Sequence, residues 1–282
     1  MDASVRNFPY RNPQLYELAY PEPNDETPMM CRRMFSRYLT KPPRSIFDIG
    51  CGTGRDLDSL SRECPDCWGV DYLREMIEFA KARRPHLHLQ VGDMRTLRLG
   101  RTFDVVMSMG SAFMYALTDA DVASALDTFV AHSHPGTLLI LDIHNAASYL
   151  SGEHFRQTSE LRVGSPDFSA QARSTYSFDR RRQLLVRRRT WAIDRQGEVE
   201  DFCEYRLFFP AELDHLLGER RFRVVGMFDN MQLRETELCG PRLYVAAIFQ
   251  PEDTGAQRGA PANHGQRGAV HPPSSVRGAA RV

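Results

Sequence analysis

The residues best suited to chemistry are three aspartates and a run of glycines, each set at the end of an apolar stretch. SIFDIGCGTGRDLDSL places Asp48 ahead of Gly50, Gly52 and Gly54, with Cys51 inside the run. A sharp turn between a strand and a helix needs glycine, because the backbone must bend and a ligand must reach the amides with no Cβ in the way. A dinucleotide fingerprint would put its third glycine at the position of Arg55; here the spacing is GxGxG, with an acid two residues before it. Gly69-Val70-Asp71-Tyr72 supplies the second acid, whose carboxylate can accept two hydrogen bonds from a ribose diol. Val91-Gly92-Asp93-Met94 supplies the third: Asp93 can meet an adenine amino group and Met94 can pack on the ring. In chain order these three strand ends converge on one crevice suited to an adenosine-containing ligand.

The elements that must hold them alternate. A helix over about 28–39 ends at Lys41-Pro42-Pro43, since proline cannot continue it. Strands are expected over 45–49, 68–70, 87–91, 103–109 and 137–143, with helices over 55–62, 73–83 and 119–132. Such alternation points to βαβ units and a parallel sheet covered on both faces. After residue 150 four strands follow, over 155–163, 168–178, 183–193 and 198–209, with Asp194-Arg195-Gln196-Gly197 as a turn, which reads as an antiparallel insertion. A helix over 210–220 and strands over 222–228 and 243–249 complete a seven-stranded, doubly wound α/β sheet. The expected organisation is an N-terminal cap (1–40), a core (41–150 and 209–250), an antiparallel β insertion acting as a lid (151–208) and a disordered tail (251–282) poor in large apolar residues.

Composition narrows the partners. Lys plus Arg and Asp plus Glu each total 36, so no global field favours nucleic acid or a membrane surface. No apolar run reaches the length of a membrane span, the start lacks the apolar segment of a signal peptide, and the six cysteines are scattered, so a cytoplasmic protein with reduced thiols is expected.

On the glycine turn, Asp71 and Asp93-Met94, the sequence resembles the class I S-adenosylmethionine (SAM) dependent methyltransferases, closely over about 35–145 and loosely over 209–250. The resemblance implies a Rossmann-like methyltransferase fold with SAM as cofactor. The glycine turn would cradle the methionine part, Asp71 the ribose and Asp93-Met94 the adenine, with Tyr72, Met109 and Gly110 beside them. The segment over 103–145 looks like the family's fourth and fifth strand units, with Thr137 where a second glycine is common. A finer resemblance, carried by LYELAY near the N-terminus and the insertion after the fifth strand, is to small-molecule N-methyltransferases such as the amino-sugar N,N-dimethyltransferases and glycine N-methyltransferase. It implies methyl transfer to a nitrogen or oxygen of a small molecule of bacterial specialised metabolism.

In that reading His144 is the first candidate proton acceptor and Tyr16 the second; Tyr10, Tyr16, Met114, His144 and Asn145 are candidates for the acceptor wall. No metal is expected, because the acid that should join Asp142 and Asn145 in a metal-dependent O-methyltransferase is missing. A homodimer is compatible with the family.

Other features read more plainly. Cys64-Pro65-Asp66-Cys67 lacks the second Cys or His pair that zinc requires, and His86 and His88 alternate on one strand face as structural residues. Arg180-Arg181-Arg182 with Arg187-Arg188-Arg189 straddles a hairpin and reads first as a solvated turn. An anionic substrate or an RNA are the alternatives for that run. The whole chain could also be an RNA methyltransferase, or a SAM-binding protein of this fold without methyl transfer.

Overall fold

The computed structural model describes residues 7–21, 24–151, 155–165, 168–194 and 197–250. The expected tail over 251–282 and the Arg195-Gln196 part of the expected turn lie outside them. After a 3-10 turn at Phe8–Arg11, the chain forms α1 (Pro13–Ala19), α2 (Glu26–Tyr38), β1 (Ser45–Ile49), α3 (Arg55–Leu60), β2 (Asp66–Asp71), α4 (Arg74–Arg83), β3 (His88–Val91) and β4 (Phe103–Ser108). A second 3-10 turn, Ala112–Tyr115, leads to α5 (Asp119–Ala131), β5 (Ser133–His144) and α6 (Ala146–Ser151). Then come β6 (Thr158–Ser165), β7 (Phe168–Asp179), β8 (Leu184–Ile193), β9 (Gly197–Arg206), α7 (Pro210–Glu219), β10 (Phe222–Phe228) and β11 (Arg242–Phe249).

The main sheet has seven strands in the order β10-β11-β5-β4-β1-β2-β3. β1 to β5 pair in parallel, while β11 runs antiparallel to both β5 and β10. The chain runs outward from β1 to β3 and returns on the other side of β1 to β4. A crevice therefore opens beyond the carboxyl ends of β1 and β4, where open α/β sheets bind ligands. The register aligns Ile49 with Val70 and Asp71 with Val91, so the glycine turn, Asp71 and Asp93 emerge side by side.

β1 is apolar on both faces because both are covered. Phe47 and Ile49 enter one core with Phe103, Phe129 and Leu141, and Ile46 enters the opposite core with Met34, Leu57 and Ile140. α5 starts at a capping box in which the Thr118 hydroxyl accepts from the Asp121 N–H and the Asp121 side chain accepts from the Thr118 N–H.

The four remaining strands form a separate antiparallel sheet in the order β6-β7-β8-β9. Its inner face meets the N-terminal segment: Leu15 and Ala19 of α1 pack with Val163, Ala172, Trp191 and Ile193, and Phe8 lies 6.2 Å from the Trp191 ring. The side-chain period of two in β8 sends Leu185, Arg187, Arg189 and Trp191 inward and Arg188 outward. The arginine run is therefore divided. Arg180, Arg181 and Arg182 are solvated as the turn reading expects, whereas Arg187 and Arg189 are buried.

Cys64 and Cys67 are buried free thiols, with the Cys67 Sγ donating to the Cys64 carbonyl. His88 stacks on Trp68 at 4.7 Å. Among the described residues no group of three potential metal ligands occurs, and no helix is long and apolar enough to cross a membrane.

Candidate functional site

The glycine turn shows two different demands on glycine. Gly50 (φ +88°) is tied to β2, since its N–H and that of Cys51 both donate to the Val70 carbonyl, and a Cβ on it would lie 2.3 Å from the Ala112 Cβ. Gly52 (φ +54°) is the reverse case: a Cβ there would meet nothing within 4 Å and would project into open space. Gly54 caps α3, backed by Leu87 and Ala80, and does not line the crevice.

Around that space the structure gathers Asp48 from β1, Gly50, Cys51 and Gly52 from the turn, Asp71 and Tyr72 at the end of β2, Asp93 and Met94 just past β3, and Met109 and Gly110 just past β4. Asp71 is aimed by the backbone: Oδ2 accepts from the Gly52 N–H and Oδ1 from the Leu73 N–H, both at 2.9 Å. Burial pushes its pKa up against the pull of those amides. Asp48 is buried, its Oδ1 has no hydrogen-bond partner, and burial together with the charge of Asp71 pushes its pKa up to about 8.

Asp93 is held by a neighbour in sequence. Arg95 clamps it through Nε to both oxygens (3.0 and 3.1 Å), Nη2 to Oδ2 (2.7 Å) and the backbone N–H to Oδ1 (2.9 Å). Burial works to raise its pKa, but the Arg95 hydrogen bonds outweigh it and hold the group below the usual carboxylate range. Arg95 also reaches Asp121 at the start of α5, so the clamp is anchored outside the crevice.

A second cavity of about 450 Å³ adjoins the first. The two share Tyr10, Tyr16 and Gly110 in their walls, which makes them contiguous. Its lining combines residues from the N-terminal segment, the end of β5, the antiparallel sheet and the start of β11, among them Tyr20, His144, Arg187, Tyr205 and Arg242. Tyr10, Tyr16 and Tyr20 form a row of mutually tilted rings with centroids 5.2 and 5.3 Å apart. Desolvation pushes the phenols of Tyr10 and Tyr16 well above their ordinary pKa, so both stay protonated.

His144 lies between Tyr149 and Tyr205, stacked at 5.1 and 5.8 Å. Its Nδ1 is buried with no hydrogen-bond partner, and burial, then Arg242 and Arg187, lower its pKa to about 3. The imidazole is thus neutral at physiological pH. Met114 and Asn145, expected beside it, line neither cavity. Met114 is fully buried and its Sδ accepts the His144 backbone N–H, while Asn145 donates to the Leu238 and Gly240 carbonyls and accepts from the Ala147 N–H.

Several contributors are not evident from the sequence: Arg95, Tyr115, Tyr205 and Arg242, whereas Arg187 and Arg189 belong to the run for which an anionic substrate is one reading. Arg242 carried one signal, since Asp142 stands in the apolar run of β5 and a buried acid needs a partner. Arg242 meets Asp142 from β11, with Nε to Oδ1 at 3.0 Å and a shorter contact through Nη2, and its Nη1 donates to Ser111. The other Asp142 oxygen accepts from the Gly110 N–H at 3.1 Å, so the pair positions the wall shared by the two cavities.

Residues 46–136 match the family described as the methyltransferase domain. Around it, the chain is 35% identical over 106 residues to the dTDP-3-amino-3,4,6-trideoxy-alpha-D-glucopyranose N,N-dimethyltransferase of Streptomyces venezuelae, covering 38% of this chain and 45% of that protein. It is 33% identical over 98 residues to the dTDP-3-amino-3,6-dideoxy-alpha-D-glucopyranose N,N-dimethyltransferase of Streptomyces fradiae, covering 35% of this chain and 38% of that protein. These aligned stretches span less than half the length of either relative.

The fold likeness extends further than the sequence likeness. The SAM-bound amino pentose methyltransferase of calicheamicin biosynthesis from Micromonospora echinaspora superposes with a TM-score of 0.67 at 23% identity, covering 83% of this chain and 95% of that one. A sugar N-methyltransferase from Streptoalloteichus sp. gives 0.70 at 18% identity, covering 84% and 92%. The described residues therefore share the Rossmann-like fold of those structures, and here the antiparallel sheet follows β5.

Proposed function

We propose that the chain is a SAM-dependent N-methyltransferase acting on an amine of a small molecule. The observation that carries this is the pair of cavities that meet at Tyr10, Tyr16 and Gly110, one at the strand ends and one beneath the antiparallel sheet. The first cavity has the features a nucleoside-linked amino acid needs: an open cradle at Gly52, an unpartnered oxygen on Asp48 and the aimed carboxylate of Asp71. Asp71 would hold the ribose hydroxyls, Met94 and the clamped Asp93 would flank the adenine, and the glycine turn with Asp48 would face the methionine end. SAM, when bound, supplies a methyl group on a sulfonium, which an acceptor lone pair displaces in line.

The protein's own contribution is then positioning, exclusion of water and control of the acceptor's proton. The N-terminal segment and the antiparallel sheet form the lid of the acceptor side, since Tyr10, Tyr16, Tyr20, Arg187 and Tyr205 all come from them. The cations Arg187 and Arg242 that disfavour protonation of His144 also disfavour an ammonium beside it, and so hold an acceptor amine in its neutral, nucleophilic form. A hydroxyl acceptor would need a base, and a histidine near pH 3 is a poor one. Neutral His144 serves instead as part of the wall against which the amine is oriented. The relatives named for dTDP-linked amino sugars supply the acceptor class we propose.

Two measurements test this reading. Incubation with methyl-labelled SAM and a nucleotide-linked amino sugar should place label on the amine; full SAM binding with no label on any amine offered would refute it. The pH profile of kcat/KM should show an acid limb set by the acceptor's ammonium. His144 stays neutral until the pH falls through about 3, so His144→Phe should lower the rate without moving that limb. An acid limb near the ordinary histidine value that disappears in His144→Phe would restore His144 as the base.

A further inference from the structure

Asp71 and Asp93 are held by different numbers of donors, and the difference leaves them different work. Asp71 accepts one backbone N–H on each oxygen, both at 2.9 Å. A carboxylate has about four lone-pair sites, so about two stay open, one for each hydroxyl of a ribose diol. Asp93 accepts three N–H groups, those of the Arg95 backbone, Nε and Nη2, with Nε shared between the two oxygens. About one site is left, which suits the single N–H that an exocyclic amino group turns toward one carboxylate.

The Arg95 fork that closes the other sites is itself anchored. Its Nη1 donates to Asp121 Oδ1 at 3.0 Å, and Asp121 is held in turn, because its Oδ2 accepts from the Thr118 N–H and hydroxyl at 3.2 and 2.7 Å. Held at both ends, the guanidinium fixes the plane of the Asp93 carboxylate. The backbone beneath does not depend on this fork. The Gly92 N–H donates to the Asp71 carbonyl, and the Thr96 and Leu97 N–H groups donate to the Asp93 carbonyl. The side chains of Asp93, Arg95 and Asp121 keep 25%, 31% and 23% exposure, and ion pairs so placed contribute little to stability. Asp93 and Arg95 nevertheless both line the cofactor cavity, where the direction of a lone pair decides what can bind.

We infer that Arg95 is a positioning residue for the nucleobase: by filling the other acceptor sites of Asp93 and locking its plane, it aims one carboxylate lone pair at the base and makes the cavity selective for a base that carries an amino group. Without the fork, the half-exposed carboxylate would turn to water as readily as to the base. The inference rests on the SAM reading and assigns the base selectivity of that site to the fork of Arg95. A lysine would not replace it, since a point charge fixes no plane.

The test is isothermal titration of the full chain with S-adenosylhomocysteine and with its 6-desamino purine analogue, which lacks only the amino group. The wild type should prefer S-adenosylhomocysteine by about tenfold or more, the worth of one hydrogen bond to a charged group. In Arg95→Met the preference should fall to within about threefold, because S-adenosylhomocysteine weakens while the analogue, which never made the bond, keeps its affinity. Loss of a merely structural support would instead weaken both ligands alike. Arg95→Lys keeps the charge without the fork and should lose at least about half of the wild-type preference. Equal weakening of both ligands in Arg95→Met, or the full preference retained in Arg95→Lys, overturns the assignment. A wild type that binds both ligands equally also overturns it and leaves the SAM reading standing, whereas a wild type that binds neither removes that reading as well.

Discussion

Asp71→Ala is expected to weaken S-adenosylhomocysteine binding by about 30- to 100-fold, corresponding to a loss of about 2–3 kcal/mol from charge-assisted hydrogen bonds. The effect has two sources. The carboxylate would lose its bonds to the ribose hydroxyls, and the Gly52 and Leu73 amides it now anchors would be released, loosening the glycine turn. Asp71→Asn separates them, since the amide oxygen keeps one backbone contact without the charge; an intermediate loss is expected. Titration calorimetry on both variants measures this, and unchanged affinity in Asp71→Ala would remove the ribose assignment.

The largest stability effect is expected at Asp142→Ala, which leaves Arg242 without its counter-charge and the Gly110 N–H without its acceptor. Breaking a buried ion pair from one side costs about 3–5 kcal/mol. The lower figure applies here because the Arg242 side chain keeps 29% exposure. About 3 kcal/mol corresponds to a fall in Tm of roughly 6–12 °C for a domain of this size. Asp142→Leu combined with Arg242→Met removes both charges and should recover most of that loss. Thermal unfolding followed by circular dichroism decides between this and a surface pair of little worth, for which both variants would melt with the wild type.

The same pair shows where the sequence stops being informative. The glycine turn, Asp71 and Asp93 were legible because each stands at the end of an apolar run, and strand ends in a parallel sheet are brought together by the register alone. The acceptor side was legible only in part, through Tyr10, Tyr16 and His144, because it is assembled from segments far apart in the chain. Tyr16, Arg187 and Arg242 have no local pattern in common, and only the packing of α1 on the antiparallel sheet unites them.

Where the sequence misled, the reason is local and physical. Met114 and Asn145 lie one step from functional positions, yet a 3-10 turn buries the first in the core and the second ties the end of β5 to the segment before β11. The clamp on Asp93 was not legible because nothing in the spacing shows that Arg95 folds back on it. The arginine run reads first as a solvated turn because two arginine triplets flank the hairpin; the alternation of β8 divides the second triplet into outward and buried residues. That division leaves fewer exposed arginines for the RNA reading, which the arginine hairpin motivated.

The most direct test of the account is the structure of the protein crystallised with S-adenosylhomocysteine. The ribose should lie on Asp71 and the sulfur should face the wall of Tyr10, Tyr16 and Gly110, opening toward His144. A nucleoside bound elsewhere, or one whose sulfur points away from the arginine-lined cavity, would contradict it.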